Sequence, residues 1–440
     1  MQTVDELLVQ RPFYVAHRGS GDNWTEHTEY AYSQAVAAGA AAIEISVNAT
    51  ADGVLVCHHL TNTKELTGVD APIAEQPYSA IYQLRNNAQR WLGPAAAPQP
   101  IPLLKNVLDR HAATHVIFIE DKQGTNTRSL LDLMDSYPES RNHFVWKQSA
   151  TGAPPSEARQ RGYRTWGYFT DGSGGQFERF SDGYDLLGIY HQASDDDVRR
   201  LVGFGKPVIC WEVHYRSMRD RLLRLGVQGM MCSNYLYVTS DEARASRDAF
   251  ATGLRAAGDL PWELNWDYQP AIQHESGSIS LRYATRRSSY LMGSMCPIRQ
   301  DSYTLQFEMR WPEMPASAAL SGGLAFGLAD DQPFHPMYAS PIGGYFLSLN
   351  ADGTLALFRQ EANADAGLPL ASVKCIPPAV GEWVKLKVDA TARGIRFGTA
   401  DGGAVSAQAD GATVRGGYFS LVKNATGPES VEFRGVTVST

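Results

Sequence analysis

A chain of 440 residues is longer than one hydrophobic core usually organises, so its length predicts two domains. Hydrophobic residues make up 43% of it and charged residues 20%, which is a globular composition, and no run approaches the roughly 20 apolar residues of a membrane span. The net charge of −8, without a cluster of Lys and Arg, argues against nucleic acid as a partner.

The cysteines and the first residues indicate a compartment. Five cysteines are scattered along the chain without a Cys-x-x-Cys spacing, so they predict neither a disulfide framework nor a structural zinc site. Residues 1–6 are polar and acidic, where a secretory signal carries basic residues followed by an apolar segment. We therefore expect a reducing, cytoplasmic location.

Residues 11–239 alternate short β-branched and aromatic runs with amphipathic helical stretches, which is typical of βα units around a parallel sheet. The second and third strand candidates are separated only by residues 48–53, too few for a crossover helix, so they should form a hairpin-like excursion on one rim. Eight strands remain, which predicts a (β/α)₈ TIM barrel. The nine candidates are 13–17, 41–45, 54–59, 115–120, 143–147, 164–169, 186–191, 207–213 and 229–234, and helices are expected at 29–38, 103–112 and 195–203.

The hydrophobic period changes after a stretch with helical character at 240–257. Residues 304–311 and 383–389 alternate apolar and polar side chains, and Asp352-Gly353 is typical of a hairpin turn. This pattern predicts an antiparallel β-sandwich of jelly-roll type, whose aromatic residues are core. These aromatic residues include Trp262, Trp266, Trp311 and Trp383. The expected domains are the barrel at 1–240, a helical linker at 241–260 and the sandwich at 261–440.

Polar residues concentrate where the predicted barrel strands end. In a (β/α)₈ barrel that rim holds the active site. Each side chain alone can be an ordinary hydrogen-bonded residue, but so many charges together need a ligand or metal to offset their desolvation. Imidazoles can act as acid and base on a phosphodiester, cations can balance its charge, and carboxylates can hold a divalent ion. The set is His17, Arg18, Glu44, His59, Glu120, Lys122, Lys147, His191, Glu212 and His214.

Two segments carry a resemblance to a known family. Residues 14–68 contain His-Arg-Gly at the first strand end, the Glu and Thr of a Glu-Asn-Thr element, an Ile-Glu pair, Thr-x-Asp-Gly and a second His. Residues 101–122 contain a Pro-x-Leu helix start and a Glu-x-Lys strand end. In these motifs the chain resembles the glycerophosphodiester phosphodiesterases. The sandwich is similar to concanavalin-like and laminin-G-like domains.

The resemblance implies a role for each matching residue. His17 and His59 would be the catalytic acid–base pair, Arg18 and Lys122 the phosphate-binding residues, and Glu44 and Glu120 the ligands of a divalent metal, Mg²⁺ or Ca²⁺.

The chain departs from the family at the metal. The family's Glu-x-Asp pair is Glu44-Ile45-Ser46 here, and a hydroxyl is a weaker ligand for a hard cation than a carboxylate. We therefore expect weak metal binding. Candidates for the missing ligand are His27, His58, Asp22 or a water molecule.

The sequence thus predicts a phosphodiester hydrolase acting on a small molecule, a glycerophosphodiester or a similar polyol phosphodiester. The alternative is a catalytically impaired barrel that binds a phosphate ligand or, through the sandwich, a glycan, since Ser46 and Leu60 replace carboxylates of the family. Neither hypothesis involves nucleic acid or a membrane span.

Overall fold

The structure is a computed structural model that describes residues 2–261, 270–282, 288–313, 315, 317, 320–400, 404–408, 416–424 and 427–440. Trp262 and Trp266, predicted as core residues, lie outside the described residues. The chain divides into two compact units: residues 1–88 with 97–239, and residues 89–96 with 240–440.

The α-helices are α1 (Val4–Leu8), α2 (Glu29–Ala37), α3 (Lys64–Thr67), α4 (Tyr78–Ile81), α5 (Gln89–Leu92), α6 (Leu104–His111), α7 (Thr127–Asp135), α8 (Ser140–His143), α9 (Ser156–Gln160), α10 (Gln176–Phe180), α11 (Asp195–Val202), α12 (Arg216–Arg224) and α13 (Tyr235–Val238). Among the described residues, no helix is both long enough and apolar enough to cross a membrane.

The strands of the first unit are β1 (Phe13–Ala16), β2 (Ala42–Ala49), β3 (Leu55–Cys57), β4 (Arg85–Asn86), β5 (Gln99–Pro100), β6 (Val116–Asp121), β7 (Phe144–Ser149), β8 (Arg164–Phe169), β9 (Leu186–Tyr190), β10 (Val208–Val213) and β11 (Gly229–Cys232). The strands of the second unit are β12 (Asp259–Pro261), β13 (Ala271–Gln273), β14 (Ser278–Leu281), β15 (Ser288–Met292), β16 (Tyr303–Arg310), β17 (Ser321–Leu328), β18 (Gly344–Asn350), β19 (Thr354–Gln360), β20 (Leu368–Lys374), β21 (Val384–Thr391), β22 (Gly394–Thr399), β23 (Ala404–Gln408), β24 (Tyr418–Asn424) and β25 (Val431–Ser439).

The first unit is a closed barrel of eight parallel strands. Its strand order is β1-β11-β10-β9-β8-β7-β6-β2, and the pairing of Ala16 with Ile43 joins β2 back to β1. Strand β3 pairs antiparallel with β2 on the outside of this circuit. The predicted TIM barrel is therefore confirmed, as are the hairpin between the second and third candidates and the helices α2, α6 and α11.

Side-chain alternation along the strands separates the barrel interior into an apolar floor and a polar mouth. The floor is formed by one inward residue or two from each strand and is closed by Val4 and Leu7 of α1. Two positions further along six of these strands, the inward residue is polar: His17, Glu44, Glu120, Lys147, Tyr168 and Ser233. The carboxyl ends of the strands therefore carry the candidate site.

The second unit contains two seven-stranded antiparallel sheets. Their orders are β12-β15-β24-β17-β18-β19-β20 and β13-β14-β25-β16-β21-β22-β23. One core takes residues from both sheets, including Phe307 of β16 and Leu324 of β17. Trp311 is buried in that core as predicted, whereas Trp383 is half-buried and lies against the guanidinium groups of Arg310 and Arg434. Asp352-Gly353 does turn β18 into β19 with Gly353 at a φ of 80°. The predicted sandwich is confirmed.

Residues 241–260, predicted as a helical linker, are not helical. They contain one short 3₁₀ turn, Phe250–Thr252, and the strand β12. The backbone N–H groups of Arg244 and Ala245 both donate to the carbonyl of Ser294, at 2.8 and 3.0 Å. Alanine favours a helix, but intrinsic helix propensity is a weak preference, and hydrogen bonds within the second unit outweigh it here. The segment belongs to the second unit.

Candidate active site

A tight turn after β1 carries the first two predicted site residues. His17, Arg18 and Gly19 form a single 3₁₀ turn in which Arg18 and Gly19 have positive φ angles, 54° and 77°. A Cβ atom at Gly19 would lie 2.9 Å from the Cβ of Ala31 on α2, so only glycine fits there. The strain at Arg18 is offset by its backbone N–H, which donates to Glu44 Oε2 at 3.0 Å.

His17 is buried between two carboxylates. Its Nδ1 lies 2.9 Å from Ser233 Oγ and 3.5 Å from Glu212 Oε2, and its Nε2 lies 4.0 Å from Glu44 Oε2. Because Ser233 Oγ donates to Glu212 at 3.1 Å, it accepts from His17, which places a proton on Nδ1. The remaining nitrogen, Nε2, faces Glu44 and the barrel mouth.

His59 and Arg18 are in direct contact. The Nη2 group of Arg18 donates to His59 Nε2 at 3.0 Å, so a neutral ring carries its proton on Nδ1, 3.4 Å from Ser46 Oγ. The other end of the guanidinium is held by Glu26, at 3.1 Å. Burial, Arg18 and Lys122 lower the pKa of His59 far below its ordinary value. His59 is therefore a neutral imidazole at pH 7.

Lys147 joins the two predicted metal ligands. Its Nζ lies 2.7 Å from Glu44 Oε1 and 2.6 Å from Glu120 Oε2, and all three side chains are buried. Burial opposes the charge of Glu44, but Lys147 and His17 hold the pKa of that carboxyl well below its usual range. Burial alone would lower the pKa of Lys147, but the two carboxylates raise it above its ordinary value. All three groups are charged at pH 7.

Lys122 completes the cationic side of the site. Its Nζ lies 3.3 Å from Glu120 Oε1, which also accepts a hydrogen bond from Tyr168 at 2.6 Å. About a fifth of the Lys122 side chain is exposed, as for Arg18, whereas Lys147 is almost completely covered. Arg18 and Lys122 are therefore the cations that a ligand entering the mouth can reach.

The described residues do not fit a divalent metal. No group of three or more His, Cys, Asp or Glu side chains in them converges on one point. Of the candidates for the missing ligand, His27 Nδ1 contacts Tyr32, His58 Nδ1 contacts the Leu60 carbonyl, and Asp22 contacts His214. Glu44 and Glu120 do come together, but on the ammonium group of Lys147.

Three contributors were not assigned a role from the sequence. Glu212 and Ser233 position His17 from β10 and the end of β11, and Tyr168 holds Glu120. Behind Glu212, His214 Nε2 lies 3.6 Å from that carboxylate, and its Nδ1 lies 2.6 Å from Asp22. The sequence signal for Tyr168 and Ser233 was their position on the strand: each lies two residues after an inward apolar residue and therefore on the same face.

Comparisons with known proteins give a family match for part of the barrel. Residues 17–151 match the family model described as the glycerophosphoryl diester phosphodiesterase family. The chain carries a domain of that family. The matched segment contains all six residues that the resemblance assigned to the site, and also Lys147. Glu212 and Ser233 lie outside it.

Individual relatives match the chain over short stretches. A glycerophosphodiester phosphodiesterase of Arabidopsis thaliana is 42% identical over 67 residues, which is 15% of this chain and 18% of the relative. The chain thus spans less than a fifth of that relative's length.

Two solved structures are each similar to about half of the chain or slightly less. A phosphodiesterase of Oleispira antarctica, solved with the product sn-glycerol-3-phosphate, is 18% identical with a TM-score of 0.46, covering 52% of this chain and 96% of that one. A carbohydrate binding module from Bacillus subtilis is 16% identical with a TM-score of 0.31, covering 42% and 96%.

Proposed function

We propose that the barrel hydrolyses phosphodiesters in which glycerol or a similar small polyol is one of the two alcohols. The observation that carries the proposal is one mouth that combines a neutral imidazole, His59, with an imidazole flanked by carboxylates, His17, and two reachable cations, Arg18 and Lys122. Acid, base and charge-balancing groups are what in-line displacement at phosphorus requires.

The two histidines have different surroundings and therefore different roles. His59 is neutral and accepts the proton of the attacking oxygen, which belongs to water or to a hydroxyl of the substrate, once the negative charge of the bound phosphodiester offsets the cations that lower its pKa. A phosphoryl oxygen bound to Arg18 competes for its Nη2 hydrogen and frees His59 Nε2 for this step. As the new P–O bond forms and the ester P–O bond breaks, His17 gives a proton to the departing alcohol. The carboxylates of Glu44 and Glu212 lie 4.0 and 3.5 Å from the two ring nitrogens of His17 and keep the ring oriented for this step.

A substrate panel tests the activity. Purified protein is incubated with glycerophosphocholine, glycerophosphoethanolamine and bis(p-nitrophenyl) phosphate, with and without Mg²⁺ or Ca²⁺, and products are followed by phosphorus NMR. We expect a phosphomonoester or a cyclic phosphate from at least one diester. A folded protein that binds glycerol phosphate in calorimetry but converts none of the diesters would support the binding-protein alternative instead.

Lys122→Met should lower kcat/KM for a diester by about 10- to 100-fold, because one charge-assisted hydrogen bond of about 1.5–3 kcal/mol to the phosphoryl group is lost. The effect should be mainly on KM if Lys122 binds the substrate and its transition state equally. Lys64→Met is the matched control, since Lys64 is exposed and pairs with exposed Asp70. Parental kinetics in the Lys122 variant would remove this residue from the phosphate site.

For the sandwich we propose carbohydrate binding at one end of the sheets. A cavity of about 150 Å³ there is lined by Arg299 and Asp301 and by Phe326 and Tyr345, whose rings are buried and stack on each other. Small-molecule pockets combine an apolar and aromatic lining with a few polar groups that fix the ligand's orientation. Binding to a panel of soluble polysaccharides should fall in Asp301→Ala and persist in the surface control Asp352→Ala. An unchanged profile in Asp301→Ala would place any glycan elsewhere.

A further inference from the structure

Lys147 occupies the position that the resemblance gives to a metal ion. The inward face of β7 brings its side chain between β2 and β6, where Glu44 and Glu120 end up on either side of its ammonium group. A second cation placed between the same two carboxylates would have to displace this ammonium group or lie in repulsive contact with it.

All four oxygens of the two carboxylates already accept hydrogen bonds. Glu44 accepts from Lys147 and Ser46 at Oε1 and from the Arg18 backbone at Oε2. Glu120 accepts from Lys147 at Oε2 and from Tyr168 at Oε1. Groups that are already paired in this way gain little from binding an ion, whose entry would break two or more of these bonds.

A third anionic ligand is missing as well. Ser46 lies on β2 opposite Glu120, in the position where the family carries an aspartate. Its hydroxyl donates to Glu44 at 3.2 Å, so it reinforces the Lys147 pair and does not present a free oxygen to a cation. Hard divalent ions bind through free oxygen ligands, and in the described part of the chain the two carboxylates that meet here, Glu44 and Glu120, are both already bound to Lys147.

The ammonium group is held on its other side by aromatic rings. Nζ lies 5.5 Å from the ring centre of Tyr168 and 5.9 Å from that of Trp166. Both distances are within the range of cation–π attraction. Two carboxylates and two rings fix the charge in place, as a bound ion would be fixed.

We propose that the barrel works without a divalent metal, because the ammonium group of Lys147 replaces the ion between Glu44 and Glu120. The inference rests on the proposed function for its consequence in catalysis. Lys147 is then a positioning residue that holds Glu44 against the Arg18 turn and Glu120 against Lys122. Arg18 and Lys122 alone neutralise the phosphoryl oxygens.

Metal depletion and calorimetry test the proposal on the intact chain. After treatment with EDTA and its removal, the rate on the best diester of the panel should change by less than about twofold when Mg²⁺ or Ca²⁺ is added back, and neither ion should release binding heat at about 1 mM. A tenfold loss that Mg²⁺ or Ca²⁺ restores, or saturable binding of either ion that Glu44→Gln abolishes, would overturn it.

A double variant tests the replacement itself. Ser46→Asp with Lys147→Met removes the ammonium group and restores the third carboxylate, so this variant should bind Mg²⁺. Because a ligand that binds only the native state stabilises it, added Mg²⁺ should raise the melting temperature of the variant. Lys105→Met, at an exposed pair with Asp109, is the control and should gain neither. If the double variant folds but its melting temperature does not change when Mg²⁺ or Ca²⁺ is added, the proposal that Lys147 replaces a metal ion is contradicted.

The two proposals fail in different ways. If no diester is converted under any condition, the proposed function is wrong, and calorimetry on the parental protein still decides whether a metal binds. If diesters are converted only with added metal, the function stands and the replacement by Lys147 falls. If the double variant does not fold, the EDTA and calorimetry results on the parental protein decide.

Discussion

Replacing either His17 or His59 by alanine should lower kcat for a phosphodiester by about 10²- to 10⁴-fold, the usual contribution of a general acid or base. His59→Ala removes the neutral imidazole that Arg18 holds at the mouth, and His17→Ala removes the proton donor positioned by Ser233 and Glu212. Steady-state kinetics on the best substrate of the panel measures both. In the double variant kcat should fall little further than in either single variant, because the acid and the base act as a unit.

A matched histidine change provides the control. His115→Ala removes a partly buried imidazole whose Nδ1 contacts Thr114 and which lies before β6, away from the strand ends that form the mouth. Its kinetics should remain parental, and circular dichroism should show all variants folded. Parental kcat in both His17→Ala and His59→Ala would show that neither group transfers a proton in the rate-determining step.

Asp259→Asn should stabilise the protein above neutral pH by about 4 kcal/mol in the free energy of unfolding, and much less near pH 4. Asp259 on β12 is completely buried, and Oδ1 accepts the backbone N–H of Ser294 at 2.9 Å. Its Oδ2 has no hydrogen-bond partner among the described residues. Burial raises the pKa of Asp259 from 3.8 to about 7.

The direction in which the free energy of unfolding changes with pH follows from proton binding to Asp259. Between about pH 4 and pH 7 the folded protein holds a proton on Asp259 that the unfolded chain has released, so the free energy of unfolding falls as pH rises through this window and then levels off. Asparagine keeps the shape of the protonated carboxyl and does not titrate. Its advantage should therefore grow with pH up to about 7.

Scanning calorimetry at about pH 5 and about pH 8 measures this difference, with the transition of the second unit compared between parental protein and variant. Asp352→Asn serves as a control on an exposed carboxyl paired with Lys374, and it should show no gain at the higher pH. A loss of stability in Asp259→Asn that is greater at pH 8 than at pH 5 would mean that the ionised carboxylate stabilises the fold.

Most of the barrel and the location of its candidate site could be predicted because their signals are local. A strand that ends on His-Arg-Gly, or on Glu-x-Lys, has its polar residues at the carboxyl rim whatever the rest of the chain does. The short connection at residues 48–53 likewise excludes a crossover helix and leaves eight strands, as the structure has them. In the sandwich, strict alternation in residues 304–311 identified the buried face of β16 in the same way.

What local patterns could not predict are partners distant in sequence. The ammonium group of Lys147 meets Glu44 and Glu120, which are 103 and 27 residues away, and only the pairing of β2 with β6 and of β6 with β7 brings the three strands together. Helix propensity at 240–257 is likewise real but weak, and backbone hydrogen bonds to Ser294 and Val436 decide the conformation there. The spacing of apolar residues along the sequence determines which face of a helix or strand is buried. The pairing of buried charges depends instead on distances that exist only after folding.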